Sequence, residues 1–463
     1  MKPLSVLLVR ARPSDIQNTR LPKSLNRELG HVPPLGIASI ASLLKKHHHT
    51  VSIIDAQAED LDMSQVKQRI DRCDPDVVGV TSMTPTVHDD LNVIRLAKKY
   101  GAVTVLGGPQ ASIMPVETMH HKDVDFVIQG EGEIPMLKLL QALIGRLEFK
   151  DVPGLVYRNE NSQIKSSRPY IHPTLDDLPE PARELLPNDR YSSIITQGRL
   201  TTVCPGKGCP FKCGFCFKQP SDRVVRFRKP ALVVDEIENA VNTFGIKEIN
   251  FVSDTFTFNR SFITNVCEII LQRNINVSWV APSRADCVDL NLLKLMKRAG
   301  CRSLRFGVES GSTKILKLMD KNIDKQQIIH AFRLAKAAKI ETFAYIIIGY
   351  LHETEKTIQE TFHFLAELKP DIVAFNSATP LPGTVLFEQA VSEGIVPSNY
   401  WKRFVTDGYN ERIPYLFPDT ELWISKAYRK FFFSPRIIKK HILKVRPGSA
   451  RKYFKALRGL IRL

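Results

Sequence analysis

The sequence predicts an α/β protein with three parts: a doubly wound, Rossmann-like sheet, a partial (β/α)6 TIM barrel and a helical C-terminal extension. Three observations predict it. Strand-like runs alternate with helical periodicity over residues 1–145. The same alternation restarts near residue 196 and continues to about 395. Between them Pro153, Pro169, Pro173, Pro179, Pro181 and Pro187 punctuate a stretch too short for a domain, which reads as a connector strapping two units together. The predicted boundaries are therefore 1–145, 146–195, 196–395 and 396–463.

In the first unit the strand candidates are Ser5–Val9, Thr50–Asp55, Val77–Thr81, Val103–Leu106 and Phe126–Ile128, with helical patterns at Gly36–Lys46, Glu59–Cys73 and Asp89–Tyr100. Ligands of such sheets bind at the carboxyl ends of the strands. There the chain places Thr81-Ser82, Gly107-Gly108-Pro109-Gln110 and Gln129-Gly130-Glu131-Gly132-Glu133. Glycines admit close backbone approach to a ligand, and equally suit tight turns.

In the second unit the strand candidates are Arg199–Val203, Glu248–Val252, Val277–Val280, Ser303–Phe306, Thr342–Ile348 and Ile372–Asn376. Six β/α repeats suggest an open barrel with its functional loops at the carboxyl ends. The loop after the first strand carries Cys209-Pro-Phe-Lys-Cys213-Gly-Phe-Cys216. Three thiolates on one loop suit three irons of a [4Fe–4S] cluster. No fourth cysteine follows at close spacing, so one iron would stay open for chemistry. A zinc knuckle normally needs a second ligand pair, which is absent, and a disulfide pair is the other alternative. Cys204 reads as a buried cysteine at the strand end.

This loop resembles the cluster-binding loop of the radical S-adenosylmethionine enzymes. The resemblance implies that Cys209, Cys213 and Cys216 bind the cluster, that the open iron chelates S-adenosylmethionine, and that reduction yields a 5′-deoxyadenosyl radical. Pro33-Pro-Leu-Gly-Ile-Ala38, Val105-Leu-Gly-Gly-Pro109 and Val124–Glu133 resemble the cobalamin-binding domain fused to class B radical methylases. It implies a cobalamin held near Thr81, Ser82, Gly107, Gly108, Gly130 and Glu131. The Asp-x-His-x-x-Gly motif that places a histidine on cobalt in other cobalamin proteins is absent, which fits the radical branch and also a domain that has lost cobalamin. His31, His88 and His121 lie in no ligand pattern and read as surface or packing residues.

Later strand ends carry further family features. Asp254, in Phe251–Asn259, would accept from the ammonium of S-adenosylmethionine, or serve as an N-cap or Asx turn. Arg284 with Asp286 would be a polar cofactor contact or a surface ion pair. Glu309, in Gly307-Val-Glu-Ser-Gly-Ser312, would bind ribose hydroxyls or the ammonium. Tyr350-Leu351-His352 replaces the Leu-Pro-Gly more usual in the family, and His352 is a candidate acid or base or a hydrogen-bonded loop residue. Pro380–Thr384 would shape a rim.

Composition narrows the class. The 463 residues are 43 % hydrophobic, and Cys73, Cys267, Cys287 and Cys301 are scattered, unlike a secreted disulfide framework. The N-terminus reads as a strand and not as a signal peptide, and no apolar run is long enough for a transmembrane helix. The expected location is cytoplasmic, with peripheral membrane contact as an option. Of the net charge of +17, the segment 426–462 carries 13 basic residues and no acid, leaving +4 elsewhere. Residues 449–463 have the spacing of a basic amphipathic helix. Docking on the protein ranks first for it, an anionic membrane second and nucleic acid third.

The expected protein is a cobalamin-dependent radical enzyme that methylates an unactivated carbon of a small-molecule or lipid substrate, drawing electrons from a flavodoxin- or ferredoxin-type donor. One methyl donor would charge cobalamin and a second would be cleaved at the cluster. Three rivals stay open. An oxidative cyclase or ring-rearranging enzyme would resemble the anaerobic magnesium-protoporphyrin ester cyclase. A tRNA methylthiotransferase would need three more N-terminal cysteines, where only Cys73 is present. A non-enzymatic cobalamin or redox sensor would leave the cysteine loop idle.

Overall fold

The computed structural model describes residues 3–14, 30–193, 198–408 and 413–444. The first sheet is built from β1 (Ser5–Arg10), β2 (Thr50–Asp55), β3 (Val77–Thr81), β4 (Val103–Gly107), β5 (Phe126–Ile128), β6 (Leu155–Arg158) and β7 (Ile164–Ser166). Their order is β2-β1-β3-β4-β5-β6-β7. The first five are parallel, as expected. The last two are antiparallel and come from the stretch read as connector. This hairpin covers the three-residue β5, which would otherwise be an open edge. Val156 is its buried anchor, and flanking prolines disguised it in the sequence.

Helices pack on both faces of this sheet. Leu35–Lys46 and Glu133–Leu143 close one core with Leu8, Val105 and Ile128. Val87–Lys99 and the turns through Pro109–Met119 close the other with Leu7, Val80 and Leu106.

The second sheet contains β8 (Leu200–Val203), β9 (Glu248–Phe251), β10 (Ser278–Ser283), β11 (Cys301–Glu309), β12 (Glu341–Ile348) and β13 (Ile372–Ser377). They are all parallel and neighbours in chain order, as six successive β/α units require. On β11, Leu304, Phe306 and Val308 face the helix-side core. Ser303, Arg305 and Gly307 alternate with them and so line the concave side. Strand β11 runs longer than its apolar centre suggested, since its polar ends are bonded to β10 and β12.

The C-terminal helices seal this architecture. Trp423, Ile424, Ala427 and Tyr428 of Thr420–Phe432 join the barrel core. Phe375 N donates to the Tyr428 hydroxyl at 3.1 Å, which donates back to Phe375 O at 3.3 Å. The helix Pro435–Lys444 follows. The basic amphipathic segment 449–463 lies outside the described residues. Among the described residues no helix is long and apolar enough to cross a membrane.

Candidate active site

The cysteine loop leaves β8 and is held mostly by residues distant in sequence. Cys209 N donates to Asp222 O (2.9 Å), Gly214 N to Met319 O (2.9 Å), and Leu386 N to Gly214 O (3.0 Å). Gly208 N donates to Asp254 Oδ2 at 2.9 Å, and Thr255 Oγ1 to Cys209 Sγ at 3.3 Å. Gly208 has φ +93°, and a Cβ there would lie 2.2 Å from Val224 O, so the turn tolerates only glycine. Lys218 Nζ ties the loop to itself through Cys209 O and Phe211 O.

Cys216 feels the charges of Cys213 and Cys209, and Cys213 that of Cys209. None of the three is in a disulfide. Among the described residues no three His, Cys, Asp or Glu side chains form a closed metal-binding group. The donor set nevertheless fits a cluster: three soft sulfurs on one short loop, with cations close by. Burial raises the Cys213 thiol, and Lys321 and Arg284 oppose that rise.

Those two cations belong to a compact group beside the loop. The Arg284 guanidinium sits 3.6 Å over the Phe211 ring and makes two 2.9 Å bonds to Asp286. This ion pair is buried, not superficial, since Arg284 is only 6 % exposed. Lys321 Nζ lies 2.8 Å from Glu309 Oε1. Glu309 has φ +62°, a conformation costly for a residue with a side chain. Gly307 makes room for its carboxylate, because a Cβ there would lie 2.3 Å from Glu309 Oε1. Tyr350 presses on Gly214 from the opposite side, its hydroxyl 3.3 Å from where a Cβ would stand.

A cavity of about 490 Å3 separates the carboxyl ends of the two sheets. Thr81, Gly107, Gly108, Gly130 and Glu131 line one wall, and Cys204, Lys207, Asp222 and Asp254 the other. Gly130 has φ +81°, and a Cβ would lie 2.2 Å from Tyr170 O, where the connector crosses. Gly108, at φ +94°, abuts Ser82 O in the same way. Gly36 and Gly107 also line the cavity, and an added Cβ there would meet no protein atom within 4 Å, so bare backbone faces the space and fits a broad flat group such as a corrin, the fit expected for cobalamin.

The expected residues divide accordingly. Asp254 meets the cavity with one carboxylate oxygen already bonded to the cysteine loop; the helix cap is Asn259 instead. Arg284 and Glu309 group with the cysteines, away from that cavity. Ser82 is fully buried, and its hydroxyl donates to Asp90 Oδ2 at 2.7 Å. Burial pushes Asp90 up to about 8, against the hydrogen bonds from Ser82 and Thr86. Glu131 binds Arg226 at 2.8 and 3.0 Å and Lys207 at 3.0 Å, so it joins the two units. Burial works against the Lys207 ammonium, but Glu133 and Glu131 outweigh it and raise its pKa.

His88 and His121 pack on the helix Tyr400–Thr406. His31 pairs with Ser192 in a short ribbon. Exposed His352 faces Glu393 at 3.0 Å. Sequence reasoning missed Lys207, Asp222, Arg226, Lys321 and the positioning role of Tyr350. Only Lys207, set between two glycines, carried a local signal.

Comparison with known proteins agrees with this arrangement. The Radical SAM superfamily model matches residues 203–365, and the B12 binding domain model matches residues 28–140. An uncharacterised methyltransferase of Pyrococcus horikoshii is 33 % identical over 438 residues, covering 93 % of this chain and 94 % of that protein. The anaerobic magnesium-protoporphyrin IX monomethyl ester cyclase of Rubrivivax gelatinosus is 29 % identical over 422 residues, 88 % of this chain and 74 % of its own. Among solved structures, the radical S-adenosylmethionine methyltransferase TsrM from Kitasatospora setae, with cobalamin and a [4Fe-4S] cluster, superposes with TM-score 0.68 at 19 % identity, over 84 % of this chain and 78 % of its own. The cobalamin-dependent radical enzyme OxsB superposes with TM-score 0.74 at 19 % identity, over 99 % and 71 %. The chain belongs to the cobalamin-binding radical S-adenosylmethionine enzymes, whose cofactors are a [4Fe–4S] cluster, S-adenosylmethionine and cobalamin.

Proposed function

We propose that this chain is a C-methyltransferase acting on a small molecule held between the two sheets. The observation that carries this reading is the cavity lined by the carboxyl ends of β3–β5 on one side and of β8–β9 on the other. When bound, the cluster and S-adenosylmethionine supply a radical that takes a hydrogen atom from carbon, and cobalamin supplies the methyl group. The chain's own residues bind and orient. Cys209, Cys213 and Cys216 would hold the cluster. Gly107, Gly108 and Gly130 would let cobalamin lie against backbone. Asp254, Arg284 and the Glu309–Lys321 pair would fix S-adenosylmethionine, and the apolar faces of Phe211 and Phe215 would keep water from the radical. An external flavodoxin- or ferredoxin-type electron donor completes the proposal.

The similarity to the ester cyclases favours one second reading, oxidative ring closure. The two differ in stoichiometry. Reconstituted protein with S-adenosylmethionine, a low-potential reductant and host extract is expected to form S-adenosylhomocysteine together with 5′-deoxyadenosine. An extract-dependent rise in 5′-deoxyadenosine above the substrate-free level, with no S-adenosylhomocysteine, would favour the cyclase reading.

A further inference from the structure

The concave face of the barrel sheet contains a cation that the arrangement above does not use. Arg305 lies mid-strand on β11, on the side away from the helix core. Its Nη1 donates to Asn250 Oδ1 at 2.9 Å. No carboxylate lies at ion-pair distance among the described residues. Its neighbours differ: Arg302 holds Glu248 and Glu341, Arg284 holds Asp286, Lys321 holds Glu309, and Lys207 holds Glu131. A half-buried guanidinium without an anion forfeits hydration with little in return.

A second observation points the same way. Thr202, Asn250, Val280 and Ser303 form one register row across β8, β9, β10 and β11, directly beneath Arg305. Thr202 and Ser303 are each 1 % exposed, and both hydroxyls lack a hydrogen-bond partner. Two orphaned donors and an unpaired guanidinium thus share one face. Phe343 and Tyr345 of β12 stand on that same face, partly exposed, with Asn376 of β13 exposed beside them.

We propose that Arg305 is a specificity residue that receives an oxyanion of the substrate, a carboxylate or a phosphate, with the Thr202 and Ser303 hydroxyls as supporting donors. The planar guanidinium suits two-point binding of either group. Phe343 and Tyr345 give the remainder of the substrate an apolar wall. The proposal rests on the reading that the chain acts on a small molecule, and extends its site from the cavity between the sheets, whose lining does not include Arg305, onto the concave face of the barrel sheet.

The test uses the full-length holoprotein and the native host. Metabolites lost in a Cys213→Ala strain, labelled or not, are passed over an anion exchanger at pH 7. Retention is expected, and phosphatase treatment of the retained fraction separates phosphates from carboxylates. Arg305→Gln is expected to lower conversion of that fraction by about ten- to hundredfold, with partial rescue in Arg305→Lys. Cluster absorbance and substrate-free formation of 5′-deoxyadenosine should stay within about twofold of wild type. Inorganic phosphate is expected to raise the melting temperature of the wild type and not of Arg305→Gln. That last arm stands even if no metabolite depends on Cys213, an outcome that would count against the enzymatic reading itself. The proposal is overturned if the metabolite passes through the exchanger or if phosphate stabilises both proteins equally. It is also overturned if Arg305→Gln slows 5′-deoxyadenosine formation as much as turnover, because Arg305 would then hold the cofactor's own carboxylate.

Discussion

Single residues of the site depend on partners far away in the chain. Cys213 is bracketed by Gly214, which Met319 and Leu386 hold through backbone bonds. Cys213→Ala should yield a folded protein that lacks the visible absorbance of a cluster and no longer cleaves S-adenosylmethionine; cleavage by cluster-free protein would refute the role. Asp90 gives a pH-dependent prediction. Its folded pKa of about 8 lies above the ordinary carboxylate value because of burial. Its contribution therefore favours the folded state at low pH and declines as pH rises towards 8, by about 1.4 kcal/mol per pH unit at most. Asp90→Asn keeps an acceptor for Ser82 and Thr86 and should flatten that decline in melting temperature between pH 5 and 8. An unchanged slope would mean that Asp90 is charged in the native state. The three cysteines were legible because their spacing is local. Lys321 and Tyr350 were not, since each reaches the loop only through folding.

At the level of elements, buried charge pins the connector and the first unit to the barrel. Glu236, fully buried, is shared by Arg183 and Arg228. Arg183 comes from the connector, and its chain neighbour Ala182 bonds to the helix Leu35–Lys46. Glu236→Ala would leave two guanidiniums without their anion and should cost about 3–5 kcal/mol, read as a fall in the denaturant midpoint. A change under about 1 kcal/mol would show that solvent replaces the carboxylate. Gly130→Ala forces a Cβ against Tyr170 O and should weaken hydroxocobalamin binding, followed by its visible spectrum, while leaving cluster assembly intact. Equal loss of both cofactors would point to general unfolding instead. The strands of both sheets were readable from β-branched runs to within a few residues. The β6–β7 hairpin was not, because four- and three-residue strands among prolines resemble a linker, and only the exposed edge of β5 explains them.

The two units share a core as well as a cavity. Leu91, Ile94 and Met119 of the first unit belong to one apolar cluster with Ile315, Tyr350 and Leu386 of the second and with Trp401 and Phe404 of the C-terminal extension. Such a shared core should make unfolding cooperative across the whole chain. Scanning calorimetry is expected to show one transition, and two well-separated transitions would contradict it. Two alternating α/β units were visible from sequence; their shared core was not, since helical periodicity shows that a face is apolar but not what it meets. The central claim is that both units act on one carbon atom. It is tested most directly by growing the native host on methionine with a trideuterated methyl group and comparing extracts of wild type and a Cys213→Ala strain by mass spectrometry. The expected result is a species that carries all three deuteriums and vanishes in the variant. A Cys213-dependent species that gains no deuterium would contradict methyl transfer.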